Sequence, residues 1–327
     1  MMPEASRTVL VTGCAGFIGS HLVERLLAAG HAVLGVDKLD DYYSPRLKIR
    51  QLETSLAHAR FQFDVLDLAD GAALKTYVAA RPKPDVVVHL AAVAGVRLSL
   101  TDPARYVRAN VVATQNVLDA WSRDGVPLVF GSSSSVYGND SRAPFSENEP
   151  CVHPPSPYAA TKRSAELLCV VAHHIHRCPI TILRFFTVYG PRQRPDLAIR
   201  KFSTAILREK EVTVFGDGSM ARDFTHVGDI VRGIEHALKE KEGLTIVNLG
   251  NSSPCTVTEL VGKLGKVLDI EPRVRPVDRP VGEMDVTFAD IGKAHKLWGW
   301  RPTIALDDGL RDFAAWIKAE EAAGRNP

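Results

Sequence analysis

Near the N-terminus a β-branched stretch, Thr8-Val-Leu-Val-Thr12, runs directly into Gly13-Cys-Ala-Gly-Phe-Ile-Gly19. An apolar stripe through Ile18, Leu22, Leu26 and Leu27 then continues to Gly30. The first pattern favours a strand, the second a helix, and the glycines between them a tight turn. Strand, glycine turn and helix in that order confine the chain to the α/β class if the pattern repeats. The turn also has a chemistry. Gly13, Gly16 and Gly19 let a pyrophosphate approach the backbone, where Phe17 and Ile18 open a helix whose free N–H groups and positive dipole end attract anions. The spacing is GxxGxxG, not GxGxxG.

The pattern does repeat. Ala32-Val-Leu-Gly-Val36 is a second strand, ending at Asp37, where a carboxylate can accept hydrogen bonds from an adenosine ribose and repel a 2′-phosphate. That favours NAD over NADP, with Lys38 next door as the one opposing charge. Arg60 to Asp64 alternates as a third strand. Asp85-Val-Val-Val-His-Leu-Ala-Ala92 is almost continuously apolar, as in a strand buried on both faces of a parallel sheet, and Leu90, Ala91 and Ala92 at its end leave room for a cofactor. Pro103 to Ser122 reads as a helix with apolar Val107, Val111, Val117 and Leu118, and Val126 to Phe130 as the next strand. Together these predict a doubly wound parallel sheet of Rossmann type.

At 327 residues the chain is long for one compact domain, and a smaller mixed α/β lobe is expected towards the C-terminus. The Rossmann part is placed at residues 1–186 with a returning segment at 226–250, and the second lobe at 187–225 and 251–327. In the second lobe Leu197 to Leu207 and Val257 to Leu268 read as helices, and Arg273 to Met284 as a proline-interrupted loop. A formal net charge of +2 gives no reason to expect nucleic acid or a membrane as partner. Five scattered cysteines without a CxxC pair fit reduced thiols in a cytoplasm, and no stretch has membrane-spanning length. His173, His174 and His176 lack further ligands at metal-site spacing, so no metal is expected.

The chemistry gathers later. Ser156-Pro-Tyr-Ala-Ala-Thr-Lys162 puts a phenol and an ammonium one helical turn apart, and a nearby cation favours the phenolate a general base needs. Ser132 to Ser135 follow a strand, at the sheet edge where ligands bind, and Ser133 stands twenty-five positions before Tyr158. Glycine turn, serine run and Tyr/Lys pair together resemble the extended short-chain dehydrogenase/reductase family, whose members act on nucleotide sugars.

That resemblance extends from Val9 to about Trp300 and implies roles for particular residues. Ser133, Tyr158 and Lys162 would be catalytic, and Tyr158 and Lys162 would also contact the NAD. Asp64 and Val65 match the pair that holds the adenine. Ser134, Ser135 and Arg97, the last within Ala94-Gly-Val-Arg-Leu-Ser99, would lie on the substrate side, and Asn110 matches a family position near the active site. Arg184-Phe-Phe186-Thr187-Val-Tyr-Gly-Pro191 resembles the members that epimerise uronates, whereas neutral-sugar epimerases and decarboxylases carry Asn where this chain has Thr187. Arg192-Gln-Arg194 departs from the Trp-Gly-Arg of that group and adds a cation. Lys201, Phe202, Val214, Phe215, Arg222 and Arg279 fall in segments that wrap the UDP in the family.

The resemblance thus implies NAD-dependent 4-epimerisation of UDP-glucuronate through a 4-keto sugar, in a homodimer paired through the helices containing Val107 to Leu118 and Ala165 to Val171. The enzymatic rivals are a UDP-glucuronate decarboxylase and a UDP-glucose 4-epimerase. A non-catalytic NAD-binding scaffold is the rival of another class, and it would have no use for a base.

Overall fold

The structure is a computed structural model that describes residues 6–138, 141–278 and 285–326. These divide into two units, one of residues 6–138, 150–184 and 231–247, the other of 141–149, 185–230, 248–278 and 285–326.

The first unit is built on β1 (Thr8–Thr12), β2 (Ala32–Asp37), β3 (Phe61–Val65), β4 (Val86–His89), β5 (Leu128–Ser133) and β6 (Ile180–Phe185). With Leu244–Leu249 at the far edge they make a seven-stranded sheet in the order Leu244–Leu249, β6, β5, β4, β1, β2, β3. The pairs β1 with β2 and β4, β2 with β3 and β4 with β5 are parallel; Val9, for instance, aligns with Val33 and with Val86. All of β4 and most of β1 and β2 are buried, because helices cover both faces, and this explains their unbroken apolar runs. Leu10, Val36, Val87, Phe130 and Ile182 share one core with Val117, Trp121, Ala165 and Cys169 from the helices. The strand order reverses between β1 and β4. At such a point the loops leaving neighbouring strands diverge and open a crevice for ligand.

The helix expected from Pro103 to Ser122 is interrupted. It runs as Pro103–Tyr106, a π-helical turn at Val107–Val112 and an α-helix at Ala113–Trp121. Asn110, in the π turn, is buried and bonded to neighbouring backbone, which gives the wider turn a local cause. A 20-residue helix, Pro157–His176, starts with Pro157 in its first turn and Ser156 as cap, its Oγ accepting from Ala159 N at 3.2 Å. It ends where Arg177 takes a left-handed conformation.

In the second unit the apolar run from Thr181 does not continue as one strand. After β6 the chain breaks at Phe186, and Thr187–Tyr189 pairs in parallel with Ala221–His226, which also pairs with Pro254–Thr256 and Val286–Thr287. Helices Ala198–Leu207, Val257–Leu268 and Leu306–Ala322 pack with these strands through Ile199, Leu260, Leu264, Phe313 and Ile317. Within the region read as a loop, Val274–Val277 is a strand paired in parallel with Val212–Phe215. A two-stranded ribbon is all edge, so Pro276 removes no bond to a further strand.

Candidate active site

The turn after β1 fits a dinucleotide. Gly13 has φ +69°, and a Cβ there would lie 2.7 Å from Ala91 N and 2.9 Å from the Leu90 carbonyl carbon. Its missing side chain therefore lets the turn close against the segment that follows β4. A Cβ on Gly19 would strike the carbonyl of Gly13, so that glycine keeps the helix against its own turn. The Phe17–Ala28 helix has Gly16 as its N-cap, no side-chain cap and no acidic residue in its first turn, which leaves its N–H groups and dipole end for an anion.

Asp37 closes β2 beside this turn, its Oδ1 accepting from Leu39 N at 2.8 Å and its Oδ2 from Ala15 N at 3.2 Å. Burial pushes its carboxyl above the usual range, against those N–H groups and the Lys48 charge. Ribose hydroxyls would add donors to a carboxylate short of solvent. Lys38, which could have favoured a phosphate, is paired with Asp67 at 3.2 Å. Asp64 is held by Arg81 through Nε at 3.1 Å and Nη2 at 2.6 Å, and Val65 next to it is exposed.

Around β5 the structure brings the expected catalytic residues to one place. Ser133 ends the strand and caps the short helical turn Ser134–Tyr137, its Oγ accepting from Ser135 N and donating to Ser135 Oγ, both at 3.2 Å. Ser133 and Ser135 thus meet through a cap. Tyr158 and Lys162 are one turn apart on the Pro157–His176 helix. Lys162 is buried; its Nζ donates to Gly131 O of β5 at 2.5 Å and sits 4.3 Å from the centre of the Phe130 ring. Burial pulls its pKa down to about 8, with the Glu166 carboxylate opposing. At neutral pH it is mostly cationic, in a place where water does little to screen it.

Three further residues support the site, and of these only Asn110 was pointed to beforehand, by its match to a family position. Tyr106, fully buried, packs edge-on to Tyr158 with centroids 6.0 Å apart and donates to Gly95 O at 2.8 Å. Asn110 accepts from Val93 N at 2.8 Å and donates to Val93 O at 3.0 Å and to Thr161 Oγ1 at 3.1 Å; Thr161 in turn donates to Tyr158 O at 2.8 Å. It ties the segment after β4 to the first turn of the tyrosine helix. His89 is neutral, since burial and then the Lys162 charge bring its pKa to about 3. Thr114 Oγ1 donates to Asn110 O at 2.6 Å and so accepts from His89 Nε2 at 3.1 Å, which leaves His89 Nδ1 to accept from Thr12 at 2.7 Å.

Of the residues read as substrate-binding, Arg97 is exposed on the Val96–Thr101 helix of the first unit. Ser134 and Ser135, in the helical turn after β5, belong to the first unit too, and the remaining ones to the second. Phe186 is buried, and Thr187 is half-buried at the start of its strand. Arg192 takes a left-handed φ of +65°, whereas Arg194 is held by Asp196 through two bonds of 3.0 and 2.9 Å. Lys201 is exposed, Phe202 packs against the core and Phe215 is half-buried; the Val214 side chain is in the core, so only its backbone is on offer. Arg222 is half-buried and donates to Ala221 O at 3.0 Å. Arg279 lies outside the described residues. His173 is engaged by Cys178 O at 2.7 Å, and among the described residues no cluster of His, Cys or acids is arranged for a metal.

A family model described as "NAD dependent epimerase/dehydratase family" matches residues 9–250. A UDP-glucuronate 4-epimerase of Thermodesulfobacterium geofontis is 42% identical over 311 residues, spanning 94% of this chain and 95% of that protein. The crystal structure of a UDP-glucuronic acid 4-epimerase from Bacillus cereus, with UDP-glucuronic acid and NAD, is 38% identical with a TM-score of 0.87, covering 95% of this chain and 99% of that one. A UDP-glucose 4-epimerase from Thermotoga maritima, solved with UDP-glucose, has the same TM-score of 0.87 at 30% identity, covering 96% and 99%. Equal backbone similarity to the two leaves the choice of sugar to side chains.

Proposed function

The chain belongs to the NAD-dependent epimerase/dehydratase family, and from that premise we propose that it interconverts UDP-glucuronate and UDP-galacturonate by inverting C4 through a transient 4-keto sugar. The cofactor is NAD, which when bound accepts hydrogen from C4 with its electron pair and gives it back, so that no net oxidation occurs. Gly13, Gly16, Gly19 and Asp37 would hold it, with Asp64 and Val65 towards the adenine.

The observation that carries the reading is the buried, backbone-fixed Lys162 one turn from Tyr158 and bonded to the strand that delivers Ser133. A cation so placed stabilises a phenolate. Tyr158 takes the proton of the 4-hydroxyl as the ketone forms and returns it once the sugar has presented its other face. Ser133 Oγ hydrogen-bonds the same sugar oxygen, and Ser135 keeps that hydroxyl in place.

A uronate adds a hazard, because a C4 ketone is β to the C6 carboxylate and such acids lose CO2. The enzyme has to keep the C5–C6 bond out of line with the carbonyl π system. Thr187 and Ser135, and Arg97, Arg192 or Arg194, are the candidates for gripping the carboxylate. The reading includes a homodimer, and a cytoplasmic location in keeping with five buried, unbridged cysteines. Among the described residues no helix is long and apolar enough to cross a membrane. The test is NMR of the products after incubation with UDP-glucuronate. UDP-galacturonate is expected; a UDP-pentose as main product would reassign the chain as a decarboxylase, and an unchanged substrate would favour a non-catalytic role.

A further inference from the structure

In the second unit a guanidinium is buried where apolar packing would be the ordinary choice. Arg200, on the Ala198–Leu207 helix, is 2% exposed. Its Nη1 donates to Gln193 O at 2.7 Å, and its Nε and Nη2 both donate to Asn326 Oδ1, at 3.2 and 3.1 Å. Its guanidinium carbon lies over the Trp316 ring, 5.1 Å from the centre. Asn326 is fixed in turn, its Nδ2 donating to Thr204 Oγ1 at 3.0 Å and to Glu321 Oε2 at 2.8 Å. A charge taken out of water is costly unless bonds replace the lost solvent, and a buried polar network that is well bonded makes its surroundings rigid.

What this network grips is a turn. Gln193 N donates to Gly190 O at 3.2 Å, closing Gly190-Pro191-Arg192-Gln193. Gly190 has φ +140°, and a Cβ there would lie 2.7 Å from Val227 Cγ1, so the turn starts hard against its neighbours. Arg192, its third residue, has φ +65°, in a place where such turns favour glycine or asparagine. A backbone strained in this way persists only where its surroundings over-determine it. Gln193 supplies that constraint. Its side chain, 1% exposed, reaches back through Nε2 to Val188 O at 3.0 Å and accepts from Arg200 N through Oε1 at 3.1 Å. The turn is thereby tied on one side to the Thr187–Tyr189 strand and on the other to the Ala198–Leu207 helix.

Thr187, Arg192 and Arg194, three of the candidates for gripping the C6 carboxylate, all lie on the segment so held. We propose that Gln193, Arg200 and Asn326 are positioning residues for carboxylate recognition, fixing the backbone from which the hydroxyl and guanidinium groups of that segment are presented. The proposal rests on the uronate reading above and deepens it. Gln193, Arg200 and Asn326 act through the turn and need not touch the sugar. A loosened turn misplaces the carboxylate's partners, whereas the nucleotide, which is common to all UDP-sugars, is held by other segments.

The test measures kcat and KM for UDP-glucuronate from initial rates of the NAD-loaded protein, with UDP and UDP-glucose as competitive inhibitors of the same reaction. UDP-glucose has the nucleotide and the ring but no carboxylate. In Gln193→Ala, KM for UDP-glucuronate should rise about tenfold, the scale of one displaced hydrogen bond to a charged group, with a smaller fall in kcat. The inhibition constants of UDP and UDP-glucose should stay within about twofold of the wild type, which a general loss of structure would not allow. Asn326→Ala leaves Gln193 in place and removes the acceptor of Arg200 Nε and Nη2. It should show the same pattern with a smaller rise, and it keeps the test decisive if Gln193→Ala does not fold. An unchanged KM in the folded variants, or an equal weakening of all three ligands, overturns the proposal while leaving the uronate reading intact. A wild type that does not convert UDP-glucuronate overturns that reading, and the proposal with it.

Discussion

Glu166 sits one turn beyond Lys162 and is fully enclosed. Its carboxylate takes Arg184 Nε and Nη2 at 2.9 Å each, Ser132 Oγ at 2.6 Å and Arg163 Nη1 at 2.9 Å. Burial opposes its ionisation, but Arg184 and these other donors outweigh it and hold the carboxyl below its ordinary value of 4.5. A carboxyl depressed by folding contributes stability that is complete above 4.5 and is lost as the pH falls through the folded pKa. Glu166→Gln should therefore cost about 3 to 5 kcal/mol near neutrality, because it strands a buried guanidinium, and should flatten stability against pH below 4.5. Denaturant unfolding across that range is the measurement; an acid limb as steep as the wild type's would assign it to other carboxylates. For Thr187, one hydrogen bond to a charged acceptor is worth roughly 1.5 to 3 kcal/mol. At about 1.4 kcal/mol per tenfold, Thr187→Val should slow epimerisation by one to two orders of magnitude and raise the pentose product, both read by NMR. A wild-type rate with no added pentose would move the carboxylate grip to the arginines. Ser133, Tyr158 and Lys162 could be proposed from the sequence because the chemistry expected of them depends on spacing and on a strand end. Tyr106 and Asn110 could not, or only through family likeness, since their partners are set by how the chain folds back. A buried asparagine inside an otherwise apolar helical stretch was the one trace that Asn110 left.

The strand, glycine turn and helix at the N-terminus were readable because every signal in them is local. The π turn was not, because an amphipathic pattern does not distinguish a period of 3.6 from a slightly wider one over six residues. Nor was Val274–Val277, where Pro276 reads as a breaker until the strand is seen to lie at an edge. The π turn has a consequence for function. It presents Asn110 both to the Val93 backbone and to Thr161, so the segment after β4 and the start of the helix that carries Tyr158 and Lys162 share one amide. Asn110→Ala strands Val93 N and O in the interior at about 1 to 3 kcal/mol for each group. A lower unfolding midpoint is expected, together with a loss in kcat larger than any change in KM, because the tie to the tyrosine's turn goes too. An unchanged midpoint would mean that water replaces the amide and that the turn is held elsewhere.

A dimer is the remaining expectation, and the exposed apolar residues narrow where it forms. On the two helices expected to pair, Val117, Leu118 and Ala165 face the core of their own chain, at 1%, 3% and 0% exposure. The stripe lies elsewhere on the same elements. Leu167, Val171 and Ile175 repeat every four residues along the Pro157–His176 helix, and Leu100, Val107 and Val112 are exposed on the Val96–Trp121 segment of the same unit. All six are between 40% and 63% exposed. Covering the open half of an aliphatic side chain is worth about 1 kcal/mol, so two copies bring on the order of 12 kcal/mol to their contact. Lost translational and rotational freedom costs roughly 4 to 15 kcal/mol, so association is possible but rests on a few side chains. Val171→Asp/Ile175→Asp would place two carboxylates from each copy in that contact. Sedimentation should show a dimer for the wild type at micromolar concentration and a monomer for the variant, with secondary structure intact because both positions face solvent in one chain. Since the same helix carries Tyr158 and Lys162, the monomer should also unfold at a lower temperature and lose turnover with it. A wild type that sediments as a monomer, or a variant that stays dimeric, would show that this stripe is not the contact.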